Sequence, residues 1–222
     1  MNRSPLAITI LFHIGIVPIS RTVVTTWGLM AALTGGCWIA TRSFRLDAGG
    51  WQAMIETVVI AIEEQIGELL NRDATPFLPL LGTLFIFLVV ANLSGIVPGV
   101  TAPTAAVETP AALAAIVFLS VHFYGVRIQG LGPYLKGYLR PNPVMLPFNI
   151  LSELTRSFSL AMRLFGNIMS GELVVAIILA MAGLLVPIPF MAFGILVGLV
   201  QAYIFSVLAA VYIGGGIGVI EK

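Results

Sequence analysis

Residues 147–183 read PFNILSELTRSFSLAMRLFGNIMSGELVVAIILAMAG. This stretch is mainly apolar, and its charged side chains are Glu153, Arg156, Arg163 and Glu172. A bilayer core of ~30 Å takes ~20 helical residues at ~1.5 Å each. The stretch therefore predicts a helix that is more than long enough to cross a membrane.

The composition excludes a soluble globular domain. The chain has 222 residues, of which 59% are hydrophobic and 9% charged, against ~45–50% and ~25% in ordinary soluble domains. Its 11 Lys and Arg residues nearly balance its 10 Asp and Glu residues, so no basic field exists to bind nucleic acid. The single cysteine, Cys37, excludes a disulfide framework and thiolate metal clusters. We expect Cys37 to be a small packing residue, and we predict no cofactor and no metal site.

Long apolar windows predict five transmembrane helices in a single membrane domain covering residues 1–222. Residues 1–21 are expected to form a short arm outside the membrane. They do not resemble a cleaved signal peptide, because His13 and Pro18 interrupt the apolar stretch and no small-residue cleavage site follows. The prolines at 187 and 189 predict a break between the last two spans. The predicted fold is all-α, with spans at residues 22–41, 76–98, 109–127, 147–183 and 189–219.

Residues 51–72 follow a different pattern, with apolar side chains at the i, i+3, i+4 spacing of an amphipathic helix. The opposite face carries Glu56, Glu63, Glu64, Glu68 and Arg72. A helix of this kind lies along the membrane interface instead of crossing the bilayer. Because anionic lipid repels an acidic face, we expect the apolar face to pack on neighbouring protein as well as on lipid.

The short loops of the five-span arrangement differ in their Lys and Arg content. Loops at residues 94–108 and 184–189 contain neither residue. The loops on the other side, together with the C-terminus, carry Arg42, Arg45, Arg72, Arg127, Lys136, Arg140 and Lys222. Because basic loops remain in the cytoplasm, this asymmetry predicts an outer N-terminus and a cytoplasmic C-terminus.

A narrow polar stripe runs along the fourth span. Its members recur at spacings of three and four residues and are Ser152, Arg156, Ser159, Arg163, Asn167 and Ser170. At 100° per residue they lie within ~80° of each other. Arg163 is near the middle, where an arginine costs ~2.5–3.5 kcal/mol on insertion scales. Such a residue either forms a structural ion pair or faces a functional partner.

Helix geometry favours the second alternative. Glu172 is ~13 Å along the helix from Arg163 and on its opposite side, and Glu153 is also too distant. The other four spans contain no acidic residue. We therefore expect the carboxylate that neutralises Arg163 to belong to another subunit.

Ion transfer is the chemistry that this arrangement supports. A guanidinium does not titrate, so Arg163 can act as a fixed positive charge that favours the ionised form of a nearby carboxylate. Moving that carboxylate away would restore ion binding. Polar residues beside the stripe could line the access routes, with Glu172 on the outer side, Glu108 at its mouth, and Glu153 and Ser159 on the cytoplasmic side.

The fifth span has a row of small residues at i+4 spacing, which are Gly194, Gly198, Ala202, Ser206 and Ala210. Small residues let membrane helices approach closely, so we expect this row to be a packing face. Gln201 and Tyr203 are the polar exceptions in that span. His122, in the third span, is interpreted as a packing residue.

Two runs are highly specific. SLAMRLFGNIMSGELV at residues 159–174 and VQAYIFSVLAAVYIG at residues 200–214 closely resemble subunit a of the F-type ATP synthase membrane sector. FLPLLGTLFIFLVVANLSG at 77–95 and PNPVMLPFNILSE at 141–153 extend this resemblance, particularly to the chloroplast and cyanobacterial branch. The resemblance covers roughly residues 76–214.

The resemblance implies a role for each matching residue. Arg163 corresponds to the stator charge that faces the carboxylates of a rotating c-subunit ring, and Asn167 lies beside it. Glu172 lines the outer half-channel, and Gln201 approaches the arginine from the last helix. The last two spans form a long tilted hairpin, which suits residues 147–183. The implied partners are the c ring, peripheral-stalk b-type subunits, the remaining ATP synthase subunits and the lipid bilayer, in a bacterial plasma membrane or a thylakoid-type membrane.

Two features depart from the family pattern. Some members carry a titratable residue at the position of Gly194, and here glycine leaves Glu172 without that partner. An antiparallel count about the turn at Pro187 to Pro189 places Gln201 opposite residue 174, nearer Glu172 than Arg163. The family expectation disagrees with this count.

The predicted function is that of an ion-translocating stator subunit, which couples H⁺ or Na⁺ flow through two offset half-channels to rotation. The sequence has no G-x-x-x-x-G-K-[ST] loop, so ATP chemistry belongs to other subunits and this chain alone is not an enzyme. Two alternatives are a self-contained secondary transporter or ion channel, in which the arginine binds an anionic substrate, and a purely structural membrane scaffold.

Overall fold

The computed structural model describes residues 10–14, 17–42, 49–95, 102–138, 144, 146–183 and 185–218. These residues are helical apart from one small hairpin and the connecting turns. The elements, in chain order, are β1 Ile10–Ile14, β2 Val17–Ser20, α1 Arg21–Arg42, α2 Gly50–Leu70, α3 Leu78–Ser94, a 3-10 turn Pro103–Ala105, α4 Glu108–Gln129, α5 Leu131–Tyr138, α6 Leu146–Ala182 and α7 Pro187–Gly216. Several sequence predictions lie outside the described residues, namely Arg45, Arg140, Lys222, the end of the second span and the last residue of the fifth.

Four of the described helices are long and apolar enough to cross a membrane. They are α1, α4, α6 and α7. α3 is also apolar but has 17 residues, or ~25 Å at ~1.5 Å per residue. The chain is thus a helical, multi-pass membrane protein, with four spans that meet the length criterion and one shorter apolar helix.

The core lies where α3, α4, α6 and α7 meet. α7 contributes most to it, because its small residues and Phe205 are buried against α3 and α6. Side chains of this cluster from the other three helices are Leu81, Leu84, Leu88, Leu113, Ala114, Val117, Val121, Leu160, Ala161 and Leu164. Packing of these apolar faces fixes one side of α6 and leaves its other side uncovered.

The small-residue row of α7 is a packing face over most of its length. Gly198, Ala202 and Ala210 are buried, as the spacing predicts. Gly194, one turn before Gly198, is exposed, and a Cβ atom there would have no neighbour within 4 Å. The row therefore packs only from Gly198 onwards.

The turn between α6 and α7 differs from the prediction. α6 ends at Ala182, Gly183 adopts a φ of +78°, and α7 begins at Pro187. The two prolines were expected to separate the last two helices, with the fifth span starting at residue 189. They instead occupy the first turn of α7, where backbone N–H groups have no intrahelical partner and proline is accommodated. The centre of the hairpin consequently lies before Pro187.

α2 packs along the helices as an amphipathic element. Ile66 and Leu70 are buried in the common core, and the helix ends at Leu70, followed by the C-cap residue Asn71 with a φ of +47°. Much of the rest of its surface is exposed, including the acidic residues Glu56 and Glu68. Contact of its apolar face with α3 and α7 agrees with the expectation that this face packs on protein.

The N-terminal elements lie against the start of α4. β1 and β2 form an antiparallel hairpin, and the buried Ser20 ends it immediately before α1. α1 itself has no buried residue. Cys37, expected to be a packing residue, is exposed on α1, because no described part of this chain covers that face.

Candidate functional site

The polar stripe of α6 lies on the uncovered face of the helix. All of its members, Ser152, Arg156, Ser159, Arg163, Asn167 and Ser170, are exposed. Leu160, Ala161 and Leu164, which lie between them in the sequence, point into the core and are buried. The apolar side of α6 therefore packs on the other helices of the chain, and Arg163 faces outward.

Arg163 has no carboxylate partner in the described part of the chain, since no Asp or Glu oxygen lies within 4.0 Å of its guanidinium. A structural ion pair within these residues is therefore not observed. The charge on Arg163 is fixed, because guanidinium stays protonated. An exposed guanidinium on a mainly apolar helix can pair with a negatively charged group of another molecule.

Asn167 and Gln201 join α6 to α7 close to Arg163. Nδ2 of Asn167 donates a hydrogen bond of 2.7 Å to Oε1 of Gln201, and Gln201 is only 3% exposed. The count that placed Gln201 opposite residue 174 is wrong, because the hairpin turns before Pro187. Gln201 contacts the helix one turn after Arg163.

Glu172 faces the connection between α3 and α4. Its Oε1 accepts a hydrogen bond of 3.2 Å from the backbone N–H of Ala102. The side chain is partly buried. The space at Gly194, where a titratable partner was considered, is open. A main-chain donor is thus the observed partner of this carboxylate.

A polar network holds the segment that contacts Glu172. Oγ1 of Thr104 donates to Oδ1 of Asn92 at 2.7 Å, and Nδ2 of Asn92 donates to the carbonyl of Gly198 at 2.8 Å. Thr104 is fully buried. These two bonds connect the 3-10 turn, α3 and α7.

Glu108 lies apart from this network. It occupies the first turn of α4, and its Oε2 accepts a hydrogen bond of 2.5 Å from the hydroxyl of Ser20. The hydroxyls of Thr26 and Thr109 approach to 3.4 Å beside it. The structure therefore joins Glu108 to the N-terminal hairpin and shows no hydrogen bond between Glu108 and Glu172.

The N-terminal half of α6 borders an open groove of about 470 Å³. Its apolar lining residues are Phe148 and Leu151, and its polar lining residues are Ser152, Thr155, Arg156, Ser159 and Tyr212. Tyr212 belongs to α7, so this groove lies between the two long helices.

Glu153 faces α4 instead of this groove. Its Oε1 is 3.6 Å from Nδ1 of His122. That nitrogen also lies 2.9 Å from the carbonyl of Phe118, and the His122 ring packs on the Phe118 ring at 4.5 Å. His122 packs as predicted and additionally meets a carboxylate. Glu153 and Ser159, which were assigned to one route, thus lie on different sides of α6.

Comparison with known proteins identifies the family. The family model for the ATP synthase A chain matches residues 23–214. The chain belongs to this family. It is a membrane-sector subunit of the F-type ATP synthase complex, and its role is in ion transport.

Individual relatives are similar over nearly their whole length. "ATP synthase subunit a 2" of a Bradyrhizobium species is 60% identical over 222 residues, which is 100% of both chains. A protein of the same name from Pelobacter propionicus is 48% identical over 211 residues, 95% of this chain and 92% of the relative. "ATP synthase subunit a" of Albidiferax ferrireducens is 48% identical over 215 residues, 96% of this chain and 93% of the relative.

Three groups at the site of this ATP synthase subunit were not predicted from the sequence. Asn92 is a polar residue in an apolar span, and that signal could have identified it. Tyr212 could have been found by placing it on the face of α7 that meets α6. The backbone N–H of Ala102 carries no side-chain signal, and only the three-dimensional structure reveals it.

Proposed function

We propose that this chain is the ion-translocating stator subunit of a rotary F-type ATP synthase, in which Arg163 faces the carboxylates of a c-subunit ring. Family membership supports the subunit role. The observation that carries the proposal is the exposure of the complete polar stripe of α6, with Arg163 at its centre.

An exposed stripe of this kind requires a partner inside the membrane. Arginine facing lipid costs at least ~2.5–3.5 kcal/mol, whereas arginine facing a carboxylate gains an opposite charge. Exposed apolar side chains such as Phe158 and Met162 flank the stripe. A ring of apolar helices that each carry one carboxylate would match both the charge and the apolar flanks.

The fixed charge of Arg163 determines where a ring carboxylate releases its ion. A ring carboxylate that approaches the guanidinium is favoured in its ionised form and releases its ion. A carboxylate that moves past it into the apolar membrane is favoured when it has bound an ion again. The Asn167–Gln201 hydrogen bond supports this step by joining α6 to α7 one turn from the charge.

Two routes at different depths would supply and remove the ion. Glu172 lies ~13 Å along the helix from Arg163 on the outer side, whereas Ser159 lies ~6 Å from it in the cytoplasmic direction. The outer route passes the Ala102 segment and Glu172. The cytoplasmic route follows the groove lined by Ser159 and Tyr212, and Glu153 lies outside this groove, against α4. With two routes that do not join, an ion would cross only by travelling with the ring.

We further propose five membrane crossings, with α3 as the fifth despite its length and α2 along the interface. The N-terminal hairpin and Glu108 then lie outside. Arg127, Lys136 and the C-terminus lie in the cytoplasm, in agreement with the positive-inside rule. The host membrane is a bacterial plasma membrane, and the exposed α1 surface is available for a peripheral-stalk b-type subunit.

A self-contained transporter or channel is the alternative. It would need an anionic substrate on Arg163 and an internal pathway, and it would work without a ring. A structural scaffold would need the stripe for assembly only. Neither alternative uses an exposed arginine together with two polar routes that end at different depths.

The test uses the complete complex in sealed vesicles. ATP-driven H⁺ and Na⁺ uptake is followed with Arg163 intact, with Arg163→Ala, and with Arg127→Ala as a matched control for arginine truncation outside the stripe. We expect Arg163→Ala to abolish coupled uptake while the subunit remains assembled, and Arg127→Ala to retain it. The intact complex shows which ion is carried. Coupled uptake by an assembled Arg163→Ala complex would overturn the proposal.

A further inference from the structure

Asn92 is the junction of three elements near Glu172. It belongs to α3, accepts from Thr104 of the 3-10 turn at 2.7 Å, and donates to the Gly198 carbonyl of α7 at 2.8 Å. Both polar ends of its side chain are therefore used, and both partners lie outside its own helix. A side chain that bonds two other elements fixes their relative position.

The segment that Asn92 holds is the one that contacts Glu172. Ala102 directly precedes the 3-10 turn, is 3% exposed, and donates its N–H to Glu172 at 3.2 Å. Thr104 is two residues further along the same segment. A displacement of Thr104 would therefore move the Ala102 N–H relative to the carboxylate.

Packing leaves this segment little freedom. A Cβ atom at Gly95 would lie 3.1 Å from Cβ of Ala102, and a Cβ atom at Gly198 would lie 3.1 Å from Cβ of Asn92. Both glycines thus permit close approach around the network. The empty space at Gly194 means that α7 places no side chain of its own in that position.

We propose that Asn92 is a positioning residue for the outer ion route, which acts through Thr104 to hold the Ala102 N–H against Glu172. This inference rests on the proposed function and names the device that replaces a titratable partner at Gly194. The affinity of Glu172 for ions arriving from outside depends on this main-chain donor, because a hydrogen bond to a carboxylate changes how readily it takes up an ion. The effect is confined to the outer side, because the network does not reach the groove at Ser159.

The experiment measures ATP synthesis by the complete complex in vesicles at a fixed membrane potential. The concentration of the transported ion, H⁺ or Na⁺, is varied separately on the outer and cytoplasmic sides. Thr104→Val removes the hydroxyl donor at nearly constant volume. Thr104→Ser keeps the hydroxyl, and Thr83→Val is the matched control, because the Thr83 hydroxyl bonds only carbonyls of its own helix α3.

We expect Thr104→Val to shift the outer ion concentration that gives half-maximal rate by about three- to tenfold, which corresponds to loss of one hydrogen bond. The maximal rate and the cytoplasmic ion concentration that halves the rate should stay unchanged. Thr104→Ser and Thr83→Val should resemble the parent. A purely structural role for Asn92 would lower assembly or maximal rate without this one-sided shift, and that result would overturn the proposal.

Two further variants keep the test decisive. If Thr104→Val does not assemble, Gly95→Ala displaces Ala102 through contact between the two Cβ atoms, and an unchanged outer half-saturation value there would refute the inference. Glu172→Gln distinguishes failure of the proposed Asn92 role from failure of the proposed outer route. If Glu172→Gln abolishes transport and Thr104→Val has no one-sided effect, only the role of Asn92 fails. If Glu172→Gln leaves transport intact, the proposed outer route fails as well.

Discussion

The carboxamide of Asn167 donates to Oε1 of Gln201 at 2.7 Å, and this bond ties α6 to α7 one turn beyond Arg163. Gln201 is buried, whereas Asn167 is on the exposed stripe. The bond therefore links the surface that carries the charge to the interior of the helix hairpin. Any change in the height of Arg163 relative to α7 must stretch it.

Loss of this bond should impair coupling more than assembly. We expect Gln201→Leu to lower coupled ion uptake about five- to tenfold, because one hydrogen bond to a neutral group contributes about 1 kcal/mol and the Asn167 amide is left without its partner. Asn167→Leu should have a similar effect. The measurement is ATP-driven uptake in vesicles, normalised to the amount of assembled subunit.

The double variant distinguishes a shared contact from two independent roles. If the two side chains act through their mutual bond, Asn167→Leu combined with Gln201→Leu should be no worse than either single change. Multiplicative losses would show instead that each residue has a separate function, for example in contacting the ring.

Gly198 and Gly194 offer a matched pair on one helix face. A Cβ atom at Gly198 would meet Cβ of Asn92 at 3.1 Å, whereas one at Gly194 would meet nothing within 4 Å. Asn92 is held by two hydrogen bonds and cannot move aside freely. We expect Gly198→Ala to destabilise the subunit by roughly 1–3 kcal/mol through overpacking, and Gly194→Ala to be neutral or slightly stabilising.

Thermal release of the subunit from the purified complex measures both variants. Gly198→Ala should lower the release temperature, and Gly194→Ala should leave it at or above that of the parent. A loss of stability in Gly194→Ala alone would indicate that the space at Gly194 is filled by another subunit in the assembled complex.

The helices and the arginine stripe could be predicted from the sequence, because both depend on the periodicity of apolar and polar residues. Apolar windows define α1, α4, α6 and α7, and the three- and four-residue spacing of Arg163 with its neighbours defines one face. The register of the hairpin did not follow, since Gly183 with a positive φ, and not Pro187, sets the turn. The hydrogen bonds of Asn92 could not be predicted from the sequence either, because its partners lie 12 and 106 positions away along the chain.

Asp73, in the turn before α3, should show a pH-dependent contribution. Hydrogen bonds from the Thr75 hydroxyl and, to a smaller extent, the Thr75 backbone N–H lower the pKa of Asp73 below its usual value of 3.8. A lowered pKa means that the ionised form stabilises the turn above pH 3.8 and that this contribution is lost as the pH falls through the lowered value.

Hydrogen exchange of the peptide containing Thr75 tests this prediction. Asp73→Asn should reduce amide protection relative to the parent at pH 7, and the difference should disappear at a pH below the lowered pKa. Thr75→Val, which keeps the backbone donor and loses the hydroxyl, should fall between the two. Equal protection in parent and Asp73→Asn at pH 7 would contradict the assigned hydrogen bonds.

Toward the N-terminal end of α6, the structure separates Ser159 from Glu153, two residues that the sequence predicted to share one cytoplasmic route. Ser159 lines the open groove, whereas Glu153 meets His122 of α4 at 3.6 Å. We expect Ser159→Val to lower the coupled rate and to raise the cytoplasmic ion concentration needed for half-maximal uptake, since it makes the groove more apolar. Glu153→Gln should retain the half-saturation value, because this carboxylate serves the contact between α4 and α6. A partly exposed contact of this kind contributes only ~0–1 kcal/mol even where both groups are charged, so Glu153→Gln should also assemble normally. A larger shift in half-saturation for Glu153→Gln than for Ser159→Val would move the cytoplasmic route to the α4 side.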